Sequence, residues 1–263
     1  MDTRPIGIFD SGVGGLSVLR DVQKILPQET FLFLADQTGI PYGGKTQKEL
    51  LDRVSNIFRF FEKKNVKTVI IACNTATVYT LDKMRKRFRV PIIGTVPVVK
   101  TAAAMTKSGK VAVLSTPATA KSDYLKRLIG EFANGVDIAC IGGTGLEELV
   151  DAGITDTPEV EAILKKNLSP LIKNGVDVIA LGCTHYPFLQ KEIRKVVGPN
   201  IAIIDSGEAV ARRTKSILEE CRILANKKGI DEYYTTADSE TFQRVAEKLL
   251  GVHLPRAVHV ELF

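Results

Sequence analysis

The sequence predicts an α/β protein with mostly parallel sheets, built as two similar lobes. Three observations carry this expectation. Short apolar runs alternate with stretches whose apolar residues recur at helical intervals, the pattern of strands buried on both faces and joined by crossover helices. Four of these runs recur in the same order in the second half of the chain. The third run of each set ends in a cysteine: Val69-Ile70-Ile71-Ala72 leads into Cys73-Asn74-Thr75, and Ile179-Ala180-Leu181-Gly182 into Cys183-Thr184-His185, an offset of 110 residues.

The elements follow in order. Ile6 to Asp10 reads as a first strand, and Gly12-Val13-Gly14-Gly15 as a tight connection into a helix over 14–26 with Leu16, Leu19, Val22, Ile25 and Leu26 near one face. Phe31 to Ala35 is a second strand. Thr46-Gln47-Lys48-Glu49 has capping-box spacing and opens a helix marked by Leu50, Val54, Ile57, Phe58 and Phe61. Strands follow at 66–72 and 92–95. The second set is Val111 to Thr116, Val136 to Cys140, a strand entered at Val176 after the Asn174-Gly175 turn, and 202–205. Thr157-Pro158 reads as a helix N-cap followed by proline at the first helical position, with Pro170 expected to end or kink that helix. Beyond it, 208–228 is helical in pattern, Tyr233 to Thr236 resembles a short strand, and a last helix carries Phe242, Val245 and Leu249. Boundaries near Val96-Pro97 and Asp205-Ser206-Gly207 give one lobe of 1–97 plus 208–263 and another of 98–207, with a cleft between them and a hinge where the chain crosses twice.

Composition narrows the function class. The 263 residues exceed the usual single-core size, and 44% hydrophobic content is ordinary for a globular protein. No signal-peptide core or membrane-length apolar stretch is present, so a soluble, cytoplasmic protein is expected. The formal charge of +6 invites a nucleic-acid reading, but the basic residues are spread over helices with an apolar opposite face. The densest stretch, Lys83 to Arg89, suits a helix carboxyl end, so neither nucleic acid nor membrane is expected as a partner. Four cysteines at 73, 140, 183 and 221 form neither a zinc module nor a disulfide scaffold, which fits a reducing compartment. Cys140 and Cys221 are expected to be small core hydrophobes.

Ligands of parallel α/β sheets collect at the carboxyl ends of strands. Asp10-Ser11, Asp36, Cys73-Asn74-Thr75, Ser115-Thr116 and Cys183-Thr184-His185 all fall there. Helix amino termini and Asn and Thr side chains can bind carboxylates without arginine. A thiolate can remove a proton from one face of a carbon while a second thiol supplies one to the other face, which is racemisation with no cofactor. Asp10 and His185 are placed to orient or exchange protons with these sulfurs. Duller readings exist: Asp10 and Ser11 as caps of the first helix, Asp36 as a loop cap, Tyr42-Gly43 as a turn after Pro41, and His185 as a structural histidine.

At these positions the chain resembles the glutamate racemases of the cofactor-independent aspartate/glutamate racemase superfamily. The resemblance rests on Asp10-Ser11-Gly12-Val13-Gly14-Gly15-Leu16, Asp36 with Pro41-Tyr42-Gly43, Cys73-Asn74-Thr75-Ala76-Thr77 and Gly182-Cys183-Thr184-His185-Tyr186-Pro187, and spans essentially the whole chain. It implies two pseudo-symmetric flavodoxin-like lobes with the active site in the interdomain cleft, and interconversion of L- and D-glutamate for peptidoglycan precursors by a homodimer. It makes Cys73 and Cys183 the proton donors and acceptors, with Asp10 and His185 assisting. Ser11, Tyr42, Gly43, Asn74, Thr75, Thr184 and His185 match substrate-contact positions, and Asp10 lies among them. Thr116, Thr119 and Glu147 extend the set on a looser local motif. No cofactor and no metal is implied, and the cysteine and histidine spacing is no zinc signature.

Two other classes remain open on the residues alone: a phosphate- or nucleotide-binding module using Asp10 to Gly15, which lacks the full Walker and dinucleotide patterns, and a bilobal amino-acid-binding protein without turnover. Aspartate is the competing substrate; His185 favours glutamate by resemblance. A pyridoxal-phosphate racemase would need a lysine in an equivalent strand-end setting, and none stands there.

Overall fold

The computed structural model describes residues 1–95 and 98–262. The chain divides into two compact units, Met1–Thr95 with Gly207–Phe263 and Val96–Ser206. The expected boundary at Val96-Pro97 lies outside the described residues.

The first unit begins β1 (Ile6–Asp10), α1 (Leu16–Ile25), β2 (Phe31–Ala35), α2 (Gln47–Lys63), β3 (Thr68–Ile71), α3 (Asn74–Arg87) and β4 (Ile92–Gly94). The second holds α4 (Val99–Met105), β5 (Lys110–Ser115), α5 (Pro117–Ala120), α6 (Asp123–Phe132), β6 (Asp137–Gly142), α7 (Leu146–Asp151), α8 (Pro158–Lys173), β7 (Val178–Gly182), α9 (Gln190–Val197) and β8 (Ala202–Ile204). The chain then re-enters the first unit as α10 (Gly207–Glu220), β9 (Glu232–Thr235), α11 (Ser239–Leu250) and β10 (Val258–His259).

The sheet orders are β10-β9-β2-β1-β3-β4 and β6-β5-β7-β8, and every pairing among the described residues is parallel. The run β2-β1-β3-β4 therefore has the same order as β6-β5-β7-β8, so the sequence repeat is also a repeat of topology. In each sheet the order reverses between the first and third strands of the repeat, which opens a crevice at their carboxyl ends.

Local chemistry explains the elements. Thr46 and Glu49 form both halves of the capping box: Thr46 N–H donates to Glu49 Oε2 at 2.7 Å and Glu49 N–H to Thr46 Oγ1 at 3.3 Å. Leu50, Val54, Ile57, Phe58 and Phe61 of α2 are all buried against Phe9, Val69 and Ile71. Each such side chain contributes about 1.5–3 kcal/mol on burial. The second unit closes over Val111, Val113, Val178 and Ala180 with Val99, Ala102 and Leu125.

Three expectations need correction. Cys140 and Cys221 are exposed. Cys140 lies on β6, an edge strand open along much of its length, and an apolar run does not distinguish an edge from a centre. The helix expected over 208–228 ends at Glu220. Arg222 turns to φ 57°, and the N–H groups of Arg222 and Ile223 close the end on Glu219 and Leu218 carbonyls, leaving Cys221 outside. The helix α8 continues three residues past Pro170 to Lys173, where its end is closed by Asn174 and Gly175 N–H groups. Thr157 and Pro158 take the N-cap and first helical positions of α8 as expected, although the Thr157 hydroxyl makes no capping bond.

Candidate active site

In the first unit, β1 and β3 carry Asp10-Ser11 and Cys73 to neighbouring strand ends at the reversal point. Asp10 is fully buried, and its Oδ1 accepts the Ser11 N–H at 2.8 Å. It does not cap α1, whose N-cap is Gly15 with no side-chain bond. Gly15 is required by packing: a Cβ there would stand 2.6 Å from Asp10 Cβ. Cys73 is the N-cap of α3, and its Sγ accepts the Ala76 N–H at 3.4 Å with Ser11 Oγ 3.7 Å away. Hydrogen-bond donation at a helix amino terminus stabilises negative charge on sulfur. Asn74 and Thr75 follow in the first helical turn, both buried. Among the described residues, neither amide atom of Asn74 has a hydrogen-bond partner. An unpaired buried amide costs about 1–3 kcal/mol, so a polar ligand at that point would recover energy that folding leaves unspent.

Asp36, at the end of β2, is also fully buried and organises the following loop. Its Oδ2 accepts the Tyr42 hydroxyl at 2.6 Å and pairs with Arg53 Nε, while its Oδ1 accepts from Arg53 at 2.8 Å and from Thr236 Oγ1 at 3.0 Å. Burial, then the Asp36 charge, raises the Tyr42 phenol well above its ordinary range, so it stays a donor. Tyr42 is buried and Gly43 exposed on the short 3-10 turn Tyr42–Gly44. Arg53 and Thr236 carried no signal in the sequence, because α2 and β9 reach Asp36 only through the tertiary fold.

In the second unit, β5 and β7 are the corresponding neighbours. Thr116 caps α5, accepting the Thr119 N–H at 3.1 Å and donating to Thr119 Oγ1 at 3.1 Å; both threonines are buried. Cys183, Thr184 and His185 are buried beyond β7. The Cys183 thiol lies 3.6 Å from Glu147 Oε1 and 3.5 Å from His185 Nδ1. On the far side of the ring, His185 Nε2 lies 3.2 Å from Asp151 Oδ1. Asp151 was missed in the sequence, although its spacing of four from Glu147 on α7 puts both carboxylates on one helix face. Burial pushes the Cys183 thiol up to about 12, and the Glu147 charge adds to this while His185 opposes it. For His185, burial works against the charged form, but the Asp151 charge prevails and holds the imidazole well above its ordinary value. Among the described residues, Glu147, Cys183 and His185 are the group with atoms close enough to share a metal ion.

The structure thus brings Ser11 to Cys73, Tyr42 to Asp36, Thr116 to Thr119, and Glu147 and His185 to Cys183. The hydroxyl and N–H donors in these sets can hold an anionic group, and the two sets that contain Cys73 and Cys183 can take up or release a proton at sulfur.

The Asp/Glu/hydantoin racemase family profile matches residues 6–214. A glutamate racemase from Deinococcus radiodurans is 44% identical over 238 residues, covering 89% of this chain and 82% of that protein. The crystal structure of a glutamate racemase isoform from Bacillus anthracis superimposes with a TM-score of 0.88 at 31% identity, covering 100% of this chain and 99% of the other. That of the Escherichia coli glutamate racemase, in complex with L-glutamate and an activator, gives 0.86 at 32% identity over 98% and 99% of the two chains. With a profile match across most of its length and relatives this similar, the chain belongs to the Asp/Glu/hydantoin racemase family.

Proposed function

We propose that this protein is a glutamate racemase, interconverting L- and D-glutamate by α-proton transfer between two cysteines. The observation that carries the reading is the placement of Cys73 and Cys183 at repeat-equivalent strand ends, each buried beside proton-handling or hydrogen-bonding partners. One sulfur, as thiolate, takes the proton from one face of the α-carbon, and the other, as thiol, returns a proton to the opposite face. Asp10 on the Cys73 side and His185 on the Cys183 side set the protonation of the sulfurs. Ser11, Tyr42, Gly43, Asn74, Thr75, Thr116, Thr119, Glu147 and Thr184 hold the substrate, with the unpaired Asn74 amide as the strongest single indication. The role in the cell is supply of D-glutamate for peptidoglycan, in the cytoplasm, by a homodimer. No described helix is long and apolar enough to cross a membrane.

The test is incubation of the purified protein, without added cofactor, with L- or D-glutamate in D2O. Product of inverted configuration carrying α-deuterium, with little label in recovered substrate, is expected. Absence of inversion and exchange with both enantiomers, from folded protein, would refute the reading; the same experiment with aspartate then follows.

A further inference from the structure

Cys183, His185 and Glu147 offer one sulfur, one imidazole nitrogen and one carboxylate oxygen, all within 4.8 Å of one another. The sulfur is 3.5 Å from His185 Nδ1 and 3.6 Å from Glu147 Oε1. A tetrahedral zinc ion, about 2.3 Å from sulfur and about 2.0–2.2 Å from nitrogen or oxygen, sets such ligand pairs roughly 3.5–3.6 Å apart. Both sulfur-centred pairs are therefore already at ligand spacing. Behind the ring, Asp151 Oδ1 lies 3.2 Å from His185 Nε2. In zinc sites a carboxylate in this place fixes the imidazole and directs the other nitrogen at the metal. All four residues belong to one unit, on α7 and the loop after β7.

We infer that this cluster captures a thiophilic divalent cation, Zn2+ in the first instance, through Cys183 Sγ, His185 Nδ1 and Glu147 Oε1, with water in the fourth position and Asp151 as the positioning residue. Cys183 binds as thiolate and His185 through a deprotonated Nδ1, and both protons pass to solvent. The mixed S, N and O donor set selects zinc-like ions over Mg2+ and Ca2+, which require oxygen ligands. Because the same sulfur carries the proton in the proposed racemisation, the bound cation is a reversible inhibitor. Only this last consequence rests on the proposed function.

The experiment titrates the reduced full-length protein with Co2+ and reads the thiolate-to-cobalt charge-transfer absorption. One equivalent is expected, displaced by Zn2+ and unaffected by Mg2+. The exposed thiols are controlled by the double variant Cys140→Ala/Cys221→Ala, which retains the absorption, whereas Cys183→Ser loses it. Asp151→Asn weakens Co2+ binding by about 10- to 100-fold while keeping the band shape. A wild-type protein without the band, a band that survives Cys183→Ser, or one lost with the surface cysteines overturns the site. An intact band without inhibition by Zn2+ would instead count against Cys183 as a proton carrier.

Discussion

Cys73 and Cys183 occupy equivalent places in the repeat, yet their surroundings differ in kind. Cys73 caps a helix of 14 residues and accepts a backbone N–H, a fixed dipole that does not titrate. Cys183 precedes only a short 3-10 turn and stands between a carboxylate and an imidazole, whose charges change with pH. The same strand-end geometry thus tunes one sulfur through the backbone and the other through side chains. A fixed dipole favours the thiolate constantly, whereas the Glu147–Cys183–His185–Asp151 row couples thiol ionisation to neighbouring protons. For a reaction that must run in both directions, the comparison predicts that pH sensitivity resides on the Cys183 side.

The largest test removes each sulfur. Cys73→Ser and Cys183→Ser are each expected to lower kcat for glutamate by about 10^2–10^4-fold, with circular dichroism unchanged. Near-normal turnover in either folded variant would break the two-thiol reading.

A second test separates the two environments. Asp151→Asn removes the charge that raises His185, so the pH–rate limb marking loss of the imidazolium proton moves to lower pH, with kcat/KM down about 10-fold. Glu147→Gln removes a charge that raises the Cys183 thiol, so that ionisation also moves to lower pH. Ser11→Ala, on the Cys73 side, should reduce the rate without moving either limb. A shifted limb in Ser11→Ala, or none in Asp151→Asn, would contradict the division.

The comparison extends to the opposite ends of the strands. Lys67 and Asp177 are also related by the offset of 110, each just before the third strand of its repeat. In the first unit Lys67 is buried and lies 2.6 Å from Glu29 Oε2, while donating to the Asp2 and Ile223 carbonyls at 2.7 Å. In the second, Asp177 accepts from Thr106 Oγ1 at 2.5 Å and from the N–H groups of Lys107 and Ser108 at 2.7 and 2.9 Å. Lys67→Met would leave the buried Glu29 carboxylate without its counter-charge, keeping the Ala225 N–H on Oε1, at a cost of about 3–5 kcal/mol, and Lys67→Met/Glu29→Gln should recover much of it in denaturant unfolding.

Asp177 should matter less. Desolvation would raise its carboxyl, but hydrogen bonds from Thr106, Ser108 and Lys107 outweigh it and lower the value from 3.8 to about 2. A depressed carboxylate stabilises the fold above pH about 4 and loses that contribution as pH falls through about 2. Asp177→Asn should cost about 1–2 kcal/mol at neutral pH after solvent screening, with the deficit shrinking across that acid window in thermal melts. A deficit independent of pH would assign the effect to packing.

The sequence by itself determined the α/β class, the order of the repeated strands, the capping box at Thr46 and the strand-end position of both cysteines. These follow from apolar periodicity and short-range hydrogen-bond chemistry, which act within a few residues. The exposure of Cys140 and Cys221 was decided only in tertiary structure, because edge position depends on strand order and a helix end on the turn that closes it. Arg53 and Thr236 converge on Asp36 from elements 17 and 200 residues away, and Asp151 reaches His185 across α7 and the β7 loop. No local pattern records such meetings: burial makes a charge seek any partner that packing brings within reach, wherever it lies in the chain.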